Sequence, residues 1–196
     1  AISLTDYRLL SGALEFSISM ADVGVQPIIG CQIGIRRKLE QVSSSTTPAP
    51  DQLVLLAKDV DGYSNLLKLV SASYLTAGDG EPAQISIDAL DKHNKGLIAL
   101  TGGVKGSIGR MLVEGHVPGA KEMLGRFNEI FHDRLYVEIM RHGIPEEEQI
   151  ESDLIDLAYR LDLPIVATND AYFAEADMYE AHDALLCISQ GAYVSQ

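Results

Sequence analysis

The chain has 196 residues, of which 46% are hydrophobic and 22% are charged. This mixture is typical of a globular domain with a packed core and excludes a disordered chain. The 28 acidic residues outnumber the 15 basic ones, and the resulting net charge of −13 argues against nucleic-acid binding over a broad face of this chain.

Short apolar runs alternate with longer amphipathic segments. The runs that predict strands are residues 2–4, 28–35, 53–56, 97–100, 135–139 and 165–167. The segments that predict helices are residues 13–21, 63–74, 120–131, 146–161 and 181–189. This alternation predicts an α/β fold with a mainly parallel sheet or barrel, strands covered on both faces and helices outside. In such folds the chemistry lies at the carboxyl ends of the strands.

Two local patterns have a structural interpretation. Glu146, Glu147 and Glu148 follow Pro145, which predicts the first turn of a helix with solvated acidic side chains; an acidic docking face is the alternative. Residues 102–107 resemble a phosphate-binding loop only in their glycines, so they predict a tight strand-to-helix turn.

Features of the whole chain indicate its setting. Cys31 and Cys187 lie in apolar surroundings and are expected to be buried free thiols, which favours a cytoplasmic location. No apolar run approaches the ~20 residues that a membrane span needs, so we expect no membrane partner. Residues 43–50 have the composition of a surface loop. The chain begins at Ala1 on strand-like residues without an initiator Met, so we expect a fragment of a longer protein.

The residues after the predicted strands are poor in metal ligands. Asp6, His142 and Asp170 could bind a cation, whereas a tyrosine, glutamine or glycine at the other strand ends is a poor ligand or none. The five histidines show no His-x-His or His-x-x-x-His spacing, and no Gly-x-Ser-x-Gly, Walker A or Gly-x-Gly-x-x-Gly sequence occurs. Asp170 has two interpretations, a cap of the following segment or the remnant of a ligand set.

Several blocks of sequence occur in an order that is similar to a known family. The most specific are Gly62-Tyr63-Ser64-Asn65-Leu66 and Ala167-Thr168-Asn169-Asp170, and the others are residues 4–6, 26–31, 55–58, 96–100 and 136–139. Together they resemble the PHP (polymerase and histidinol phosphatase) domain at the amino end of bacterial replicative DNA polymerase III alpha subunits. The resemblance covers nearly all of residues 1–196 and implies one PHP domain, truncated at its amino end. It implies a distorted (β/α)7 barrel whose first strand lies before Ala1.

The resemblance also implies where a metal site of this family would lie. Metal-binding members often have His where this chain has Tyr7 and Tyr172, Glu at the position of Gln32, His near Gln52 and Cys near Gly103; of this set the chain keeps Asp170. The implied vestigial metal-site cleft, with no bound metal or other cofactor and no catalytic residue, consists of Asp6, Tyr7, Gln32, Gln52, Gly103, His142, Asp170 and Tyr172. We expect Tyr7 and Tyr172 to fill this cleft and to form hydrogen bonds with Asp170 or Gln32.

The function implied by the resemblance is that of a non-catalytic scaffold within a DNA-directed DNA polymerase, a nucleotidyltransferase of chromosomal replication. Its implied partners are a proofreading exonuclease subunit and the rest of the polymerase chain, whose other domains contact DNA. One alternative is an active metal-dependent phosphoesterase or 3′–5′ exonuclease, which would need a His-x-His pair before Ala1. A third is an unrelated (β/α) enzyme with a small-molecule substrate, although the chain shows no paired acid and base for it.

Overall fold

The computed structural model describes residues 1–37 and 48–194. Within them, six strands form one curled, open sheet in chain order. The strands are β1 (Ile2–Leu4), β2 (Pro27–Ile35), β3 (Asp51–Ala57), β4 (Leu97–Leu100), β5 (Leu135–Ile139) and β6 (Ile165–Ala167). Most of the loop predicted at 43–50 lies outside the described residues. The mixed α/β class is confirmed, and the closed (β/α)7 barrel stays a prediction.

The described residues also form seven α-helices, joined in places by short 3-10 turns. They are α1 (Ala13–Asp22), α2 (Val60–Leu75), α3 (Ile87–Lys92), α4 (Ser107–Val113), α5 (Val117–Phe131), α6 (Pro145–Arg160) and α7 (Tyr179–Gln190). The sequence pattern predicted five of them to within a few residues and missed α3 and α4. These two have six and seven residues, too few for an amphipathic period to stand out. No helix in the described part of the chain is long and apolar enough to cross a membrane.

The direction of β3 corrects the expectation of a mainly parallel sheet. The pairs β1–β2, β4–β5 and β5–β6 are parallel, but β3 runs antiparallel to both β2 and β4. Ile35, at the end of β2, pairs with Asp51, at the start of β3, so the chain returns at the same end of the sheet as in a hairpin. A parallel pair would have required a crossover to the opposite end.

The core lies where the helices pack on the central strands. Side chains of β2, β3 and β4 are buried together with the apolar face of α5, where Phe127 and Phe131 are the largest fully buried side chains. The two edge strands differ from the expected burial on both faces, because Ile2 is 50% and Ile165 is 39% exposed. Edge strands have a neighbour on one side only, and this leaves their apolar side chains partly in solvent.

The two cysteines are both free thiols, but their burial differs. Cys31 lies in β2 and is fully buried, as expected, and burial raises the pKa of its thiol to about 12. Cys187 lies in α7 and is partly exposed, so the expectation of burial was wrong there. The apolar residues beside Cys187 are themselves exposed: Leu186 is 43% and Ile188 is 77% accessible to solvent.

Candidate functional site

Two adjoining cavities open where polar residues follow the strands. The smaller, of about 220 Å³, is lined by Gln32, Gln52, Lys105, His142, Glu147 and Asp170 together with apolar side chains. The larger, of about 690 Å³, is lined in part by Asp6, Tyr7, Glu138, Thr168, Asp170 and Tyr172. We call the two cavities together the cleft. Gln32 and Asp170 line both, so they stand at its centre.

Asp170 is the hub of the cleft. Its Oδ1 accepts a hydrogen bond from the Gln32 amide at 3.3 Å, and its Oδ2 accepts one from the Tyr172 hydroxyl at 2.9 Å. The ammonium of Lys105 lies 3.2 Å from the same Oδ2. Burial raises the pKa of Asp170, but the hydrogen bonds from Tyr172 and Lys105 outweigh burial and hold the pKa below its ordinary value. The carboxylate is therefore charged at neutral pH.

His142 and Glu147 form a second unit of the cleft. Glu147 Oε1 lies 2.8 Å from His142 Nδ1, and its Oε2 accepts the backbone N–H of His142 at 2.6 Å. With Nδ1 assigned as the donor, Nε2 faces the backbone N–H of Asp170 at 3.4 Å. Burial raises the pKa of Glu147, but the hydrogen bonds from His142 prevail and lower it.

The Glu147 contacts correct one expectation. The run from Glu146 to Glu148 does form the first turn of α6 behind Pro145, and Glu146 and Glu148 are exposed as predicted. Glu147 is instead buried, with 7% of its surface exposed. A helix residue one position from its neighbours points about 100° away from them, so one acid of three turns inward.

A third carboxylate, Glu138, lies deeper, in β5. It is 2% exposed, and its Oε1 accepts the Thr168 hydroxyl at 2.7 Å. Its Oε2 accepts the backbone N–H of Gly102 at 2.9 Å, and its own N–H donates to the Thr101 hydroxyl at 2.9 Å. Burial raises the pKa of Glu138 despite these hydrogen bonds. The side chain therefore joins the ends of β4, β5 and β6.

Comparison with known proteins places this architecture. Residues 1–142 match the PHP domain. The chain belongs to the PHP domain family. It is 42% identical over 196 residues to the DNA polymerase III subunit alpha of Caulobacter vibrioides, covering all of this chain and 17% of that protein. The proteins of the same name from Rickettsia bellii and Haemophilus influenzae are 40% and 34% identical, each over 97% of this chain and 16% of the relative.

These matches confirm the resemblance drawn from the sequence blocks. They also fix its extent, because the chain spans about one sixth of the length of the relatives that it matches. The polymerase name belongs to those longer proteins, and the match of the PHP domain itself ends at His142.

The PHP cleft of this chain does not fit the metal ions that metal-binding members of the family would hold. In residues 1–37 and 48–194, no group of three or more His, Cys, Asp or Glu side chains is placed to hold one. Both oxygens of Asp170, of Glu147 and of Glu138 already accept hydrogen bonds from protein donors. A metal ion would have to compete with a donor at each of these six oxygens.

The two tyrosines of the cleft behave differently. Tyr172 forms the expected hydrogen bond with Asp170. Tyr7 is 45% exposed, and its ring packs against the Arg8 guanidinium, 4.3 Å from the ring centre. The backbone around Tyr7 runs beside β2, where Gln32 N donates to the Asp6 carbonyl at 3.0 Å and Arg8 N donates to the Gln32 carbonyl at 2.9 Å.

The remaining predicted residues are less central. Gln52, a residue of β3, lines the smaller cavity, and His142 lines the same cavity beside Glu147. Gly103 lines neither cavity of the cleft: it is buried, has a positive φ of 53°, and lies next to Met140. The structure thus brings together all of the predicted set except Gly103.

Sequence reasoning missed three charged residues of the cleft: Lys105, Glu138 and Glu147. Lys105 lies in the segment 102–107, which does form the predicted tight turn, with Gly102 at a φ of +80° and α4 beginning at Ser107. A lysine in a glycine-rich turn directly after a strand was the available signal, since that turn must lie at the strand's carboxyl end.

Proposed function

We propose that residues 1–196 form the PHP domain of a cytoplasmic DNA polymerase III alpha subunit and act there as a non-catalytic scaffold. The longer protein would be a DNA-directed DNA polymerase, with nucleotide transfer carried out by domains outside this chain. Support comes from the family match and from the name shared by relatives aligned along 97–100% of the chain.

The observation that carries the scaffold role is the hydrogen bonding of the cleft. Metal-dependent phosphoester hydrolysis needs several carboxylate and imidazole ligands that are open to metal ions and aligned with an attacking water. In this cleft the carboxylates of Asp170, Glu147 and Glu138 accept hydrogen bonds from protein donors instead; Glu138, for example, accepts from Thr168 and Gly102 at two other strand ends. Such contacts hold the strand ends together, which is what a scaffold requires.

The proposed partners are a proofreading exonuclease and the rest of the polymerase chain, with DNA held mainly by other domains. The net charge of −13 supports this division, because a phosphate backbone is repelled by an acidic surface while a basic protein partner is attracted. The family resemblance associates PHP domains that have lost their metal ligands with exonuclease binding.

A hydrolysis assay tests the scaffold role. The purified chain and its Asp170→Asn variant are incubated with bis-p-nitrophenyl phosphate and with a 3′-labelled single-stranded DNA, each with Mn²⁺ or Zn²⁺. We expect both proteins to give the same background rate. Activity that rises with metal concentration and is lost in Asp170→Asn would refute the scaffold role.

A binding assay tests the partner. The chain, carried on the complete polymerase subunit, is mixed with the proofreading exonuclease of the same organism and analysed by size-exclusion chromatography. We expect co-elution, and a subunit from which residues 1–196 are deleted should elute separately from the exonuclease. Co-elution that survives this deletion would place the exonuclease contact elsewhere.

A further inference from the structure

Lys105 is the lysine of the cleft, and no other lysine or arginine lines the two cavities in the part of the chain that the structure describes. Its ammonium lies 3.2 Å from Asp170 Oδ2, the oxygen that also accepts the Tyr172 hydroxyl. Burial lowers the pKa of Lys105, but its contacts with Asp170 and Tyr172 outweigh burial and raise the pKa. The side chain is therefore a permanent cation at neutral pH.

The backbone that carries Lys105 is held on both sides. Gly102 precedes the 3-10 turn Gly103–Lys105 and donates its N–H to Glu138, and Ser107 follows as the buried first residue of α4. A Cβ at Gly102 would lie 2.5 Å from the Gln52 carbonyl oxygen, so the turn sits tightly against β3. The backbone position from which the Lys105 side chain extends is therefore well defined.

The contacts of Lys105 extend through Tyr172 to the last helix. The Tyr172 ring stacks on the imidazole of His182 in α7, with ring centres 5.4 Å apart, and Phe173 packs against the same imidazole at 5.4 Å. None of the described side chains of α7 is buried. The aromatic cluster therefore gives α7 a direct contact with the cleft.

We propose that the ammonium of Lys105 is the built-in cation of this cleft: it takes the role of a metal ion by neutralising Asp170 and tying it, with Tyr172 and α7, to the turn after β4. The need for a cation follows from charge. Asp170 and Glu138 repel each other, and Lys105 attracts the carboxylates of both Asp170 and Glu147. The ammonium of Lys105 is attached to the chain, so it supplies this attraction without the coordinating side chains that a metal ion would need.

The chain offers a matched control. Lys95 forms a pair of the same type with Asp61, with Nζ 2.8 Å from Oδ2, but its side chain is 82% exposed, compared with 53% for Lys105. Asp61 is 62% exposed, whereas Asp170 is 19% exposed. Exposed pairs contribute little to stability, so the two lysines separate a structural cation from a surface contact.

The first test compares Lys105→Met with Lys95→Met by thermal unfolding and by hydrogen exchange. We expect Lys105→Met to lower Tm by about 3 °C or more and to speed amide exchange in α7, and Lys95→Met to change Tm by less than about 1 °C. Lys105→Arg, which keeps the charge, should lie closer to the original chain than Lys105→Met does. Equal effects of the two methionine variants, or unchanged exchange in α7, would overturn the proposal.

The second test replaces the lost cation. Lys105→Ala is unfolded thermally in 100 mM ethylammonium chloride and in 100 mM sodium chloride. We expect ethylammonium to restore at least half of the lost Tm and sodium to restore none, with no such difference for Lys95→Ala. Equal recovery in both salts would contradict the proposal.

The third test asks whether metal and Lys105 share the position. Mn²⁺ binding to the original chain and to Asp170→Asn is followed by electron paramagnetic resonance. We expect the original chain to show no stoichiometric Mn²⁺ binding that depends on Asp170. Binding of that kind with Lys105 intact would show that the ammonium does not take the place of a metal ion. The scaffold role is judged separately, by the hydrolysis assay.

Discussion

The buried carboxylate of Glu138 provides the sharpest test of how the strand ends are held. Replacing Glu138 by alanine removes both oxygens but leaves their two donors, the Gly102 N–H and the Thr168 hydroxyl, in the interior. Glutamine keeps the shape of the side chain. Its carbonyl can accept from Gly102, and its NH₂ can donate to the Thr168 hydroxyl, which rotates to become the acceptor.

The magnitudes follow from counting buried partners. A buried donor left without an acceptor costs about 1–3 kcal/mol, so two donors in Glu138→Ala cost about 2–6 kcal/mol of unfolding free energy. Gly102 is buried, whereas Thr168 is partly buried and lines the larger cavity, so water can offset part of the cost at Thr168 and the loss should lie in the lower half of this range. Glu138→Gln keeps both hydrogen bonds, because Thr168 accepts in one of them and its hydroxyl hydrogen can turn toward the larger cavity, and we expect a change within about 1 kcal/mol of the original chain.

The two variants also differ in pH dependence. Burial raises the pKa of Glu138 above its ordinary value of 4.5, so between 4.5 and that higher value the folded chain holds a proton that the unfolded chain has released. The contribution of Glu138 is therefore largest below pH 4.5 and is lost as the pH rises through the folded-state pKa. Glu138→Gln cannot lose a proton there, so its stability relative to the original chain should increase with pH across this window.

Urea unfolding at a series of pH values between 4 and 8 measures both effects. The decisive comparison is the order of the variants at pH 7: glutamine close to the original chain and alanine well below both. If Glu138→Gln were as damaging as Glu138→Ala, charge rather than hydrogen bonding would hold the site. If Glu138→Ala cost less than about 1 kcal/mol, the two donors would not depend on this carboxylate.

Two further pairs of variants probe the second unit of the cleft and the packing beneath the sheet. Glu147→Ala should lower the unfolding free energy by about 2 kcal/mol at pH 7, since two hydrogen bonds to the cleft imidazole and its backbone are lost, while Glu148→Ala on the exposed side should change it by less than about 0.5 kcal/mol. The pKa of Glu147 lies below its ordinary 4.5, so its contribution is present above pH 4.5 and disappears as the pH falls through the lower folded value; acid titration of both variants checks this. Gly62→Ala should destabilise by about 1–3 kcal/mol in urea unfolding, because a Cβ there would overlap the Gly96 carbonyl. Gly125→Ala, with open space around its Cβ in α5, should stabilise by up to about 1 kcal/mol, and destabilisation would contradict the helix-propensity argument.

The sequence predicted the strands well because buried strands are rich in apolar residues. Four of the six strands have the predicted limits, since each is a short and mostly apolar run. Strand direction was not predictable from the same runs, because a buried strand such as β3 has the same composition whichever way it points. The register and direction of a strand depend on how it is connected to its neighbour. The pairing of Ile35 with Asp51 fixes the two ends of the β2–β3 connection.

The contacts of the cleft also differ in how well the sequence predicts them, according to how far apart the two residues lie in the chain. Asp170 and Tyr172 are two residues apart, so their contact could be anticipated, and the structure has it. The pairing of Lys105 with Asp170 joins residues 65 positions apart, and nothing near Lys105 indicates its partner. Glu147 could not be told from its neighbours, because which acid turns inward depends on the path of the loop before α6, where Gly143 has a φ of +77°.

The short strands give the polar contacts of this cleft a structural role. β4 and β5 are joined at only two residue positions, and β5 and β6 at three, so the ladder of this half of the sheet supplies few backbone hydrogen bonds. Glu138 adds side-chain bonds at the ends of the same strands. Asp170, with Lys105, extends these contacts beyond β6. In a metal enzyme the ions would supply such bridges; here donors of the protein itself connect the ends of the strands.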